Sequence, residues 1–240
     1  MTTILKQSTY IPSIAVSLFD RAEAAAYQGQ TCATVMLCSA SMEAFINEYL
    51  EFGSSLILQN IEDEKKAQEK RNVFITNFKP FYPEEKKIFE ELQVLENKRQ
   101  NIFEKLNLIR AYCDGNKWDK GKDRAYQNYC TLIKIRNELV HPRSKAVQFG
   151  DTYIPKFLNA FEQQKKVNYL NKINMRMSWV EAIENRNFAS WCLKTFQEMM
   201  KSLLHIMENA KIESSPYFPL KTSQFAKNYL DYYSFKKINL

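Results

Sequence analysis

Residues 136–142 read R-N-E-L-V-H-P and close a predicted helix that begins near Lys122. Pro142 disfavours helical geometry at the residue before it, so we expect the helix to stop at about His141. The apolar residues before this stretch recur at three- and four-residue intervals, the spacing of one helical face. That spacing predicts a largely buried helix. The residues that carry it are Tyr126, Cys130 and Ile133, with Leu132, Ile135 and Leu139 alongside.

The same stretch places a permanent cation and one of the 2 histidines at the same helix end. Arg136 stays protonated and offers a rigid fork of donors to phosphate oxygens, whereas His141 can take and give a proton near neutral pH. RNA backbone cleavage without a metal ion needs these two groups. On an ideal helix they lie about 140° apart, but a side chain at the helix terminus can swing toward Arg136. The alternative is a surface arginine followed by a helix-capping histidine.

R-N-E-L-V-H resembles the R-x4-6-H signature of the HEPN superfamily, including the polar residue after arginine and the proline after histidine that such domains often show. A second run, E-A-F-I-N-E at residues 43–48, resembles a segment on an early helix of many HEPN-like proteins. The resemblance implies an all-α bundle that cleaves RNA. It also implies a homodimer, because catalytic HEPN domains usually bring two such motifs together across one cleft.

The residues around the motif have expected roles in that chemistry. Arg136 is expected to hold the phosphate and stabilise its developing charge, and His141 to act as a general acid or base. Asn137 would hydrogen-bond the phosphate or fix the orientation of the histidine. Two residues that follow the motif, Arg143 and Lys145, would extend a basic groove.

Glu43 lies one turn from Asn47, on the stripe beside the predicted core face of the second helix. A carboxylate beside a buried stripe needs a partner, because an unpaired buried charge is costly. We therefore expect Glu43 to lie near Arg136 and to orient it. The alternative is a solvated glutamate at the edge of the helix. The core face itself is predicted at Val35, Met42, Ile46 and Tyr49.

Composition favours helices and suits contact with a polyanion. The chain has 240 residues, enough for one domain with or without an insertion, and only 5 glycines and 7 prolines. A net charge of +7 suits binding to RNA, although many proteins of this charge bind no nucleic acid. No secretory signal or membrane span is visible in the sequence, so a cytoplasmic protein without membrane contact is expected.

Sequence patterns for other chemistry are missing. The 5 cysteines are scattered, without a C-x-x-C pair or a histidine at metal-ligand spacing, so buried reduced thiols are expected rather than a zinc site or disulfides. The sequence contains no phosphate-binding glycine loop, dinucleotide fingerprint, nucleophile elbow or zinc-protease motif. Neither a metal nor a cofactor is therefore expected.

The predicted architecture is an all-α, HEPN-like bundle of four to six long helices with an inserted loop region. Residues 1–210 form the predicted domain, with 142–185 as the insertion, and residues 211–240 form an aromatic and basic tail. The tail is expected to pack on the bundle, cross to another subunit or touch RNA. Gly53 is expected to end the second helix. The predicted long helices are Ile11–Tyr27, Gln30–Phe52, Glu84–Ala111, Lys122–Val140 and Arg186–Ala210.

Two functions from different classes fit these patterns. The first is a metal-independent endoribonuclease of HEPN type, acting as a toxin or phage-defence effector, with RNA as substrate and an antitoxin protein as a candidate partner. The second is a non-catalytic HEPN-like module that binds nucleotides, RNA or a protein and uses the fold to dimerise. In that second case Arg136 is a structural ion-pair partner of Glu43, and His141 caps its helix.

Overall fold

A computed structural model describes residues 14–69, 82–141, 155, 158, 161, 179–210 and 220–234. In these ranges the chain forms eight helices and no strand, which confirms the prediction of an all-α protein. Seven of the eight have 13 residues or more, so the expected four to six long helices were too few. The helices are α1 Ile14–Tyr27, α2 Thr31–Glu69, α3 Pro83–Asn97, α4 Ile102–Asp114, α5 Arg124–Val140, α6 Trp179–Ile183, α7 Arg186–Glu208 and α8 Lys221–Ser234.

The described chain divides into two compact units. The first, called the α5 unit, comprises the described residues within Ile14–Ala44 and Asp119–Ser202. The second, called the α8 unit, comprises the described residues within Phe45–Trp118 and Leu203–Lys237. The boundaries drawn from the sequence at 142, 185 and 210 stay predictions. Much of the proposed insertion, and the start of the proposed tail at 211–219, lies outside the described residues.

The α5 unit is built on the buried faces of α1, α2, α5 and α7. Phe19 of α1 stacks on Phe196 of α7 with ring centroids 5.4 Å apart, and both side chains are fully buried. The hydroxyl of Ser41 in α2 donates to the backbone oxygen of Ala15 at 2.7 Å. Close approach of this kind requires small residues on α1, and the helix supplies several alanines. The buried alanines of α1 are Ala15, Ala22, Ala25 and Ala26.

Glu184, which follows α6, caps the start of α2. Its carboxylate accepts hydrogen bonds from the backbone N–H of Thr31 at 2.6 Å and of Cys32 at 3.1 Å. The Thr31 hydroxyl donates to the backbone oxygen of Ile183 at 2.5 Å. A carboxylate at a helix N-terminus satisfies otherwise unpaired donors and opposes the positive end of the helix dipole. The cap therefore joins chain segments that are about 150 residues apart in the sequence.

The core of the α8 unit is a cluster of aromatic rings from α2, α3 and α8. Tyr49 lies 4.8 Å from Phe89 and 5.1 Å from Phe225, measured between ring centroids. Tyr229 meets Phe45 edge to face at 4.9 Å. All five rings are at most 2% exposed. Helix α8, which belongs to the predicted C-terminal tail, therefore packs on other helices, one of the roles expected for the tail.

The prediction that Gly53 ends the second helix is wrong, because α2 continues to Glu69. An added Cβ at Gly53 would lie 2.1 Å from Cδ1 of Phe89, whose ring is 2% exposed. The glycine is therefore needed for close packing against α3 rather than for a turn. Its cost in helix propensity, about 1 kcal/mol relative to alanine, is offset by tertiary packing.

Gly53→Ala is therefore expected to destabilise the protein. Overpacking a dense core costs about 1–3 kcal/mol, against a gain of about 1 kcal/mol from helix propensity. We expect a net loss of up to about 2 kcal/mol in the free energy of unfolding, measured by urea denaturation. Ser54→Ala is the matched control, because Ser54 is exposed on the same helix and the change should be neutral or slightly stabilising. A Gly53→Ala protein as stable as the Ser54→Ala protein would contradict this account.

The single helix predicted for Glu84–Ala111 is in fact two helices, α3 and α4. The break contains neither glycine nor proline. Arg99 adopts a positive φ of 52°, and the side chain of Asn101 accepts hydrogen bonds from the backbone N–H groups of Phe103 and Glu104. An asparagine in this position starts a helix by satisfying its first free donors. The feature of the sequence that indicates the break is Asn101, a residue type that often caps a helix. The break was missed because the apolar residues keep helical spacing across residues 92–109.

Glu85 of α3 holds the first turn of α8 in the α8 unit. The side chain is fully buried, and Oε1 accepts a hydrogen bond of 2.9 Å from the backbone N–H of Thr222. The Thr222 hydroxyl lies 2.8 Å from the hydroxyl of Tyr49. Burial raises the pKa of the Glu85 carboxyl, and the hydrogen bonds from the start of α8 act in the opposite direction.

This raised pKa predicts a pH dependence of stability. A carboxyl whose pKa is higher in the folded state binds its proton more tightly there, so its contribution to stability falls as pH rises above the unfolded value near 4.5. Glu85→Gln removes this ionisation. We expect the free energy of unfolding of the wild-type protein to fall relative to that of Glu85→Gln between pH 5 and pH 8, measured by urea denaturation. Glu84→Gln, at an exposed position of the same turn, should keep the wild-type pH dependence. Parallel curves for the wild-type and Glu85→Gln proteins would refute the assignment.

Candidate functional site

Helix α5 ends at the position that we predicted from Pro142. Its last helical residue is Val140, and His141 is the C-cap residue, with its backbone N–H donating to the oxygen of Asn137 at 2.9 Å. The cap residue has left helical geometry, with φ −123° and ψ 66°. The His141 side chain is exposed and makes no hydrogen bond with any residue that the structure describes. The imidazole is therefore accessible to a ligand from solvent.

Arg136 lies one turn before the helix end and is partly exposed. Its Nη1 donates to Oδ1 of the neighbouring Asn137 at 3.1 Å. Its Nε is buried and has no hydrogen-bond partner, and no carboxylate in the described ranges forms an ion pair with the guanidinium. A guanidinium offers five N–H donors, so most of its capacity is not used by this part of the chain. Such an arginine can bind an anion without first breaking an ion pair.

Glu43 and Arg136 both act electrostatically on Tyr129 in the α5 unit, and no ion pair between the two is found among the described residues. Glu43 is exposed on α2. Its carboxylate raises the pKa of the Tyr129 phenol, whereas the guanidinium of Arg136 lowers that pKa. The prediction that Glu43 orients Arg136 stays a prediction, because no described contact joins their side chains.

Tyr129 is a residue of this site that the sequence analysis did not single out. Its side chain is fully buried, and burial raises its pKa well above 10. The carboxylate of Glu43 raises the pKa further, whereas the guanidinium of Arg136 lowers it. The sequence carried a signal for this proximity, because Tyr129 and Arg136 are seven residues apart and two helical turns place them on one stripe of α5.

The E-A-F-I-N-E run divides into exposed and buried members. Glu43 and Asn47 are exposed, whereas Glu48 is 4% exposed and accepts a hydrogen bond from the hydroxyl of Tyr229 within the α8 unit. The predicted core face of this helix is confirmed, because Val35, Met42, Ile46 and Tyr49 are all buried. Glu48 is thus a structural residue that fastens α8 to α2.

The remaining predicted residues, and the second histidine of the chain, fall in different places. Asn137 is exposed, and its side-chain oxygen accepts from Arg136, which leaves its amide group as a donor for a ligand. Arg143 and Lys145 lie outside the described residues. His205, the other histidine, belongs to the α8 unit and is exposed beside Glu208, with 3.9 Å between Nδ1 and the carboxylate oxygen.

Neither a metal cluster nor a membrane helix is found in the described ranges. No group of three or more histidine, cysteine, aspartate or glutamate side chains there is arranged to hold a metal ion. No helix in the same part of the chain combines the length and apolar character needed to cross a bilayer. All five cysteines are free; four are buried, and burial raises the pKa of each of these thiols.

Comparison with known proteins gives no match. The chain matches no protein-family profile, no curated protein and no solved structure. The likeness to HEPN domains therefore rests on residues 136–142 and 43–48 alone.

Proposed function

We propose that the chain is a metal-independent endoribonuclease of HEPN type, with Arg136 and His141 as its catalytic residues. The observation that supports this most strongly is the state of Arg136. Its guanidinium has a buried Nε without a partner and no carboxylate bound to it among the described residues. A structural arginine normally has its donors satisfied, because buried unpaired donors cost free energy. The Arg136 side chain as a whole is partly exposed, so a phosphate oxygen could bind its other unused N–H groups.

The chemical step is attack of a ribose 2′-hydroxyl on the adjacent phosphorus. A general base removes the proton from the 2′-oxygen as the new P–O bond forms. The bond from phosphorus to the 5′-oxygen breaks, and a general acid protonates the departing oxygen. The products are a 2′,3′-cyclic phosphate and a 5′-hydroxyl, and no co-reactant is consumed. His141 serves as base or acid, while Arg136 binds the non-bridging oxygens, whose negative charge grows in the transition state.

The proposal includes a second copy of the chain. The step needs a base and an acid, and the motif supplies one histidine for each copy. Two copies with their motifs facing across one cleft supply both groups and two guanidinium forks. The exposure of His141 at the end of α5 supports this arrangement, because the imidazole is free to meet groups from another molecule.

The biological role that we propose is that of a toxin or phage-defence effector held in check by an antitoxin protein. This role rests on the HEPN resemblance rather than on any contact in the structure. The alternative is a non-catalytic binding module in which Arg136 pairs with Glu43. The described part of the chain contains no ion pair between these two residues.

Expression in a bacterial host tests this role. Induction of the wild-type chain should halt growth and degrade cellular RNA, as judged by gel electrophoresis of total RNA. Induction of His141→Ala to the same protein level should do neither. Growth arrest of equal strength by both proteins would show that the arrest does not come from cleavage at this site, and normal growth with intact RNA in both cultures would contradict the toxin role.

A further inference from the structure

Asn137 contacts both residues of the proposed catalytic pair, but in different ways. Its backbone oxygen accepts a hydrogen bond of 2.9 Å from the backbone N–H of His141, and its side-chain Oδ1 accepts one of 3.1 Å from Nη1 of Arg136. The first is the ordinary backbone bond of a helix, which any residue at this position would make. Only the second depends on the asparagine side chain. Among the described contacts, the side chain therefore acts on the arginine rather than on the imidazole.

The contact between Asn137 and Arg136 has one chemically possible direction. A guanidinium carries N–H donors and no acceptor, so the oxygen of the amide must face the arginine. A neutral acceptor holds the guanidinium without cancelling its positive charge, whereas a carboxylate in the same place would form an ion pair with it. Asn137 therefore leaves the charge of Arg136 available to a phosphate.

The guanidinium of Arg136 is restricted at a second point, its Nε. That atom is buried and has no hydrogen-bond partner. The group is planar and rigid, so the bond at Nη1 and the burial of Nε together restrict the orientation of the whole plane. Burial of Nε also prevents an anion from binding across Nε and a neighbouring Nη. The end of the fork, formed by Nη1 and Nη2, is the edge left for a phosphate.

We propose that Asn137 is a positioning residue, which holds the Arg136 guanidinium with its Nη1–Nη2 edge directed at the reacting phosphate. This inference rests on the proposed ribonuclease function and goes beyond it, because the sequence left two roles open for Asn137, binding the phosphate or orienting the histidine. A long arginine side chain that is already held in place loses less conformational freedom when it binds the phosphate. The asparagine thus promotes the chemical step through Arg136.

A double-mutant cycle on single-turnover cleavage tests whether Asn137 acts through Arg136. Asn137→Ala should lower the rate by about 10- to 100-fold, as a small misplacement of a catalytic group can do. In a protein that already carries Arg136→Ala, the same change should cause no further loss. Equal fold-losses in the two backgrounds would contradict the proposal, because they would show that Asn137 acts independently of the arginine. A wild-type rate in Asn137→Ala would contradict it as well.

Gln127→Ala is the matched control for cleavage, because Gln127 is an exposed amide residue on the same helix. Its rate should equal the wild-type rate. The pH dependence of cleavage separates the arginine from the histidine as the group on which Asn137 acts. Asn137→Ala should keep the shape of the wild-type profile, whereas a change of shape would assign the asparagine to His141.

The mobility of the guanidinium tests the contact without any cleavage. NMR relaxation of the Arg136 Nε–H group, identified by its absence from the spectrum of Arg136→Ala, reports side-chain motion on the picosecond to nanosecond timescale. Its order parameter should fall in Asn137→Ala and stay at the wild-type value in Gln127→Ala. An unchanged order parameter in Asn137→Ala would overturn the proposal, even if the wild-type protein cuts RNA. A lower one in a protein whose wild-type form never cuts RNA would support the positioning of Arg136 while refuting the ribonuclease.

Discussion

His141→Ala is expected to lower the rate of RNA cleavage by about 10²- to 10⁴-fold, the usual contribution of a positioned general acid or base. In a symmetric dimer the substitution removes both histidines from the shared cleft, so the loss should lie toward the upper end of that range. The measurement is the single-turnover rate on a defined RNA with protein in excess. The fold should survive, because the side chain is exposed and makes no hydrogen bond with the described residues.

His205→Ala is the control for this prediction. It removes the other histidine of the chain, which is exposed in the α8 unit near Glu208. Its cleavage rate should equal that of the wild-type protein. If His205→Ala loses activity and His141→Ala retains it, the proton-transfer role has been given to the wrong histidine.

Arg136→Ala is expected to reduce cleavage by about 10²- to 10³-fold, as the loss of one donor to a developing oxyanion does in other enzymes. Arg136→Lys keeps the charge but loses the planar fork, so its rate should lie between those of the wild-type and alanine proteins. Both variants should unfold at the wild-type urea concentration, because Arg136 forms no ion pair in the described ranges. Single-turnover rates and urea denaturation of the same preparations give both quantities.

Arg124→Ala is the matched control for the arginine, since Arg124 is exposed at the start of the same helix. Its removal changes the net charge equally but should leave the chemical step unchanged. An Arg136→Ala protein that is folded and cuts RNA at the wild-type rate would contradict the phosphate-binding role. A large loss of stability in Arg136→Ala would instead support a structural arginine.

Helical periodicity predicted the buried faces better than the helix ends. The core face of α2 and the end of α5 at His141 follow directly from apolar spacing and from the geometry before proline. Two boundaries failed because the deciding interaction is not periodic. Gly53 continues α2, since the ring of Phe89 needs the space of its missing side chain, and the break before α4 depends on the cap at Asn101.

The site could be predicted only in part for a related reason. Residue types and spacing identified Arg136 and His141, because their chemistry is rare in combination and the chain has only 2 histidines. The burial of Tyr129 beside Glu43 and Arg136 depends on how α2 packs against α5 within the α5 unit. Spacing within one helix gives no information about that packing. The sequence likewise suggested a partner for Glu43 without indicating whether the two side chains would meet.

The most direct test of the central claim is cleavage of a mixed-sequence RNA in EDTA by the wild-type, Arg136→Ala and His141→Ala proteins, with analysis of the product ends. We predict that the wild-type protein cuts without divalent metal, leaves 2′,3′-cyclic phosphate and 5′-hydroxyl ends, and loses this activity in both variants. Cutting that requires a divalent metal or leaves 3′-hydroxyl ends would contradict the mechanism. A folded, dimeric wild-type protein that cuts no more than the two variants would contradict the claim that this chain is a ribonuclease.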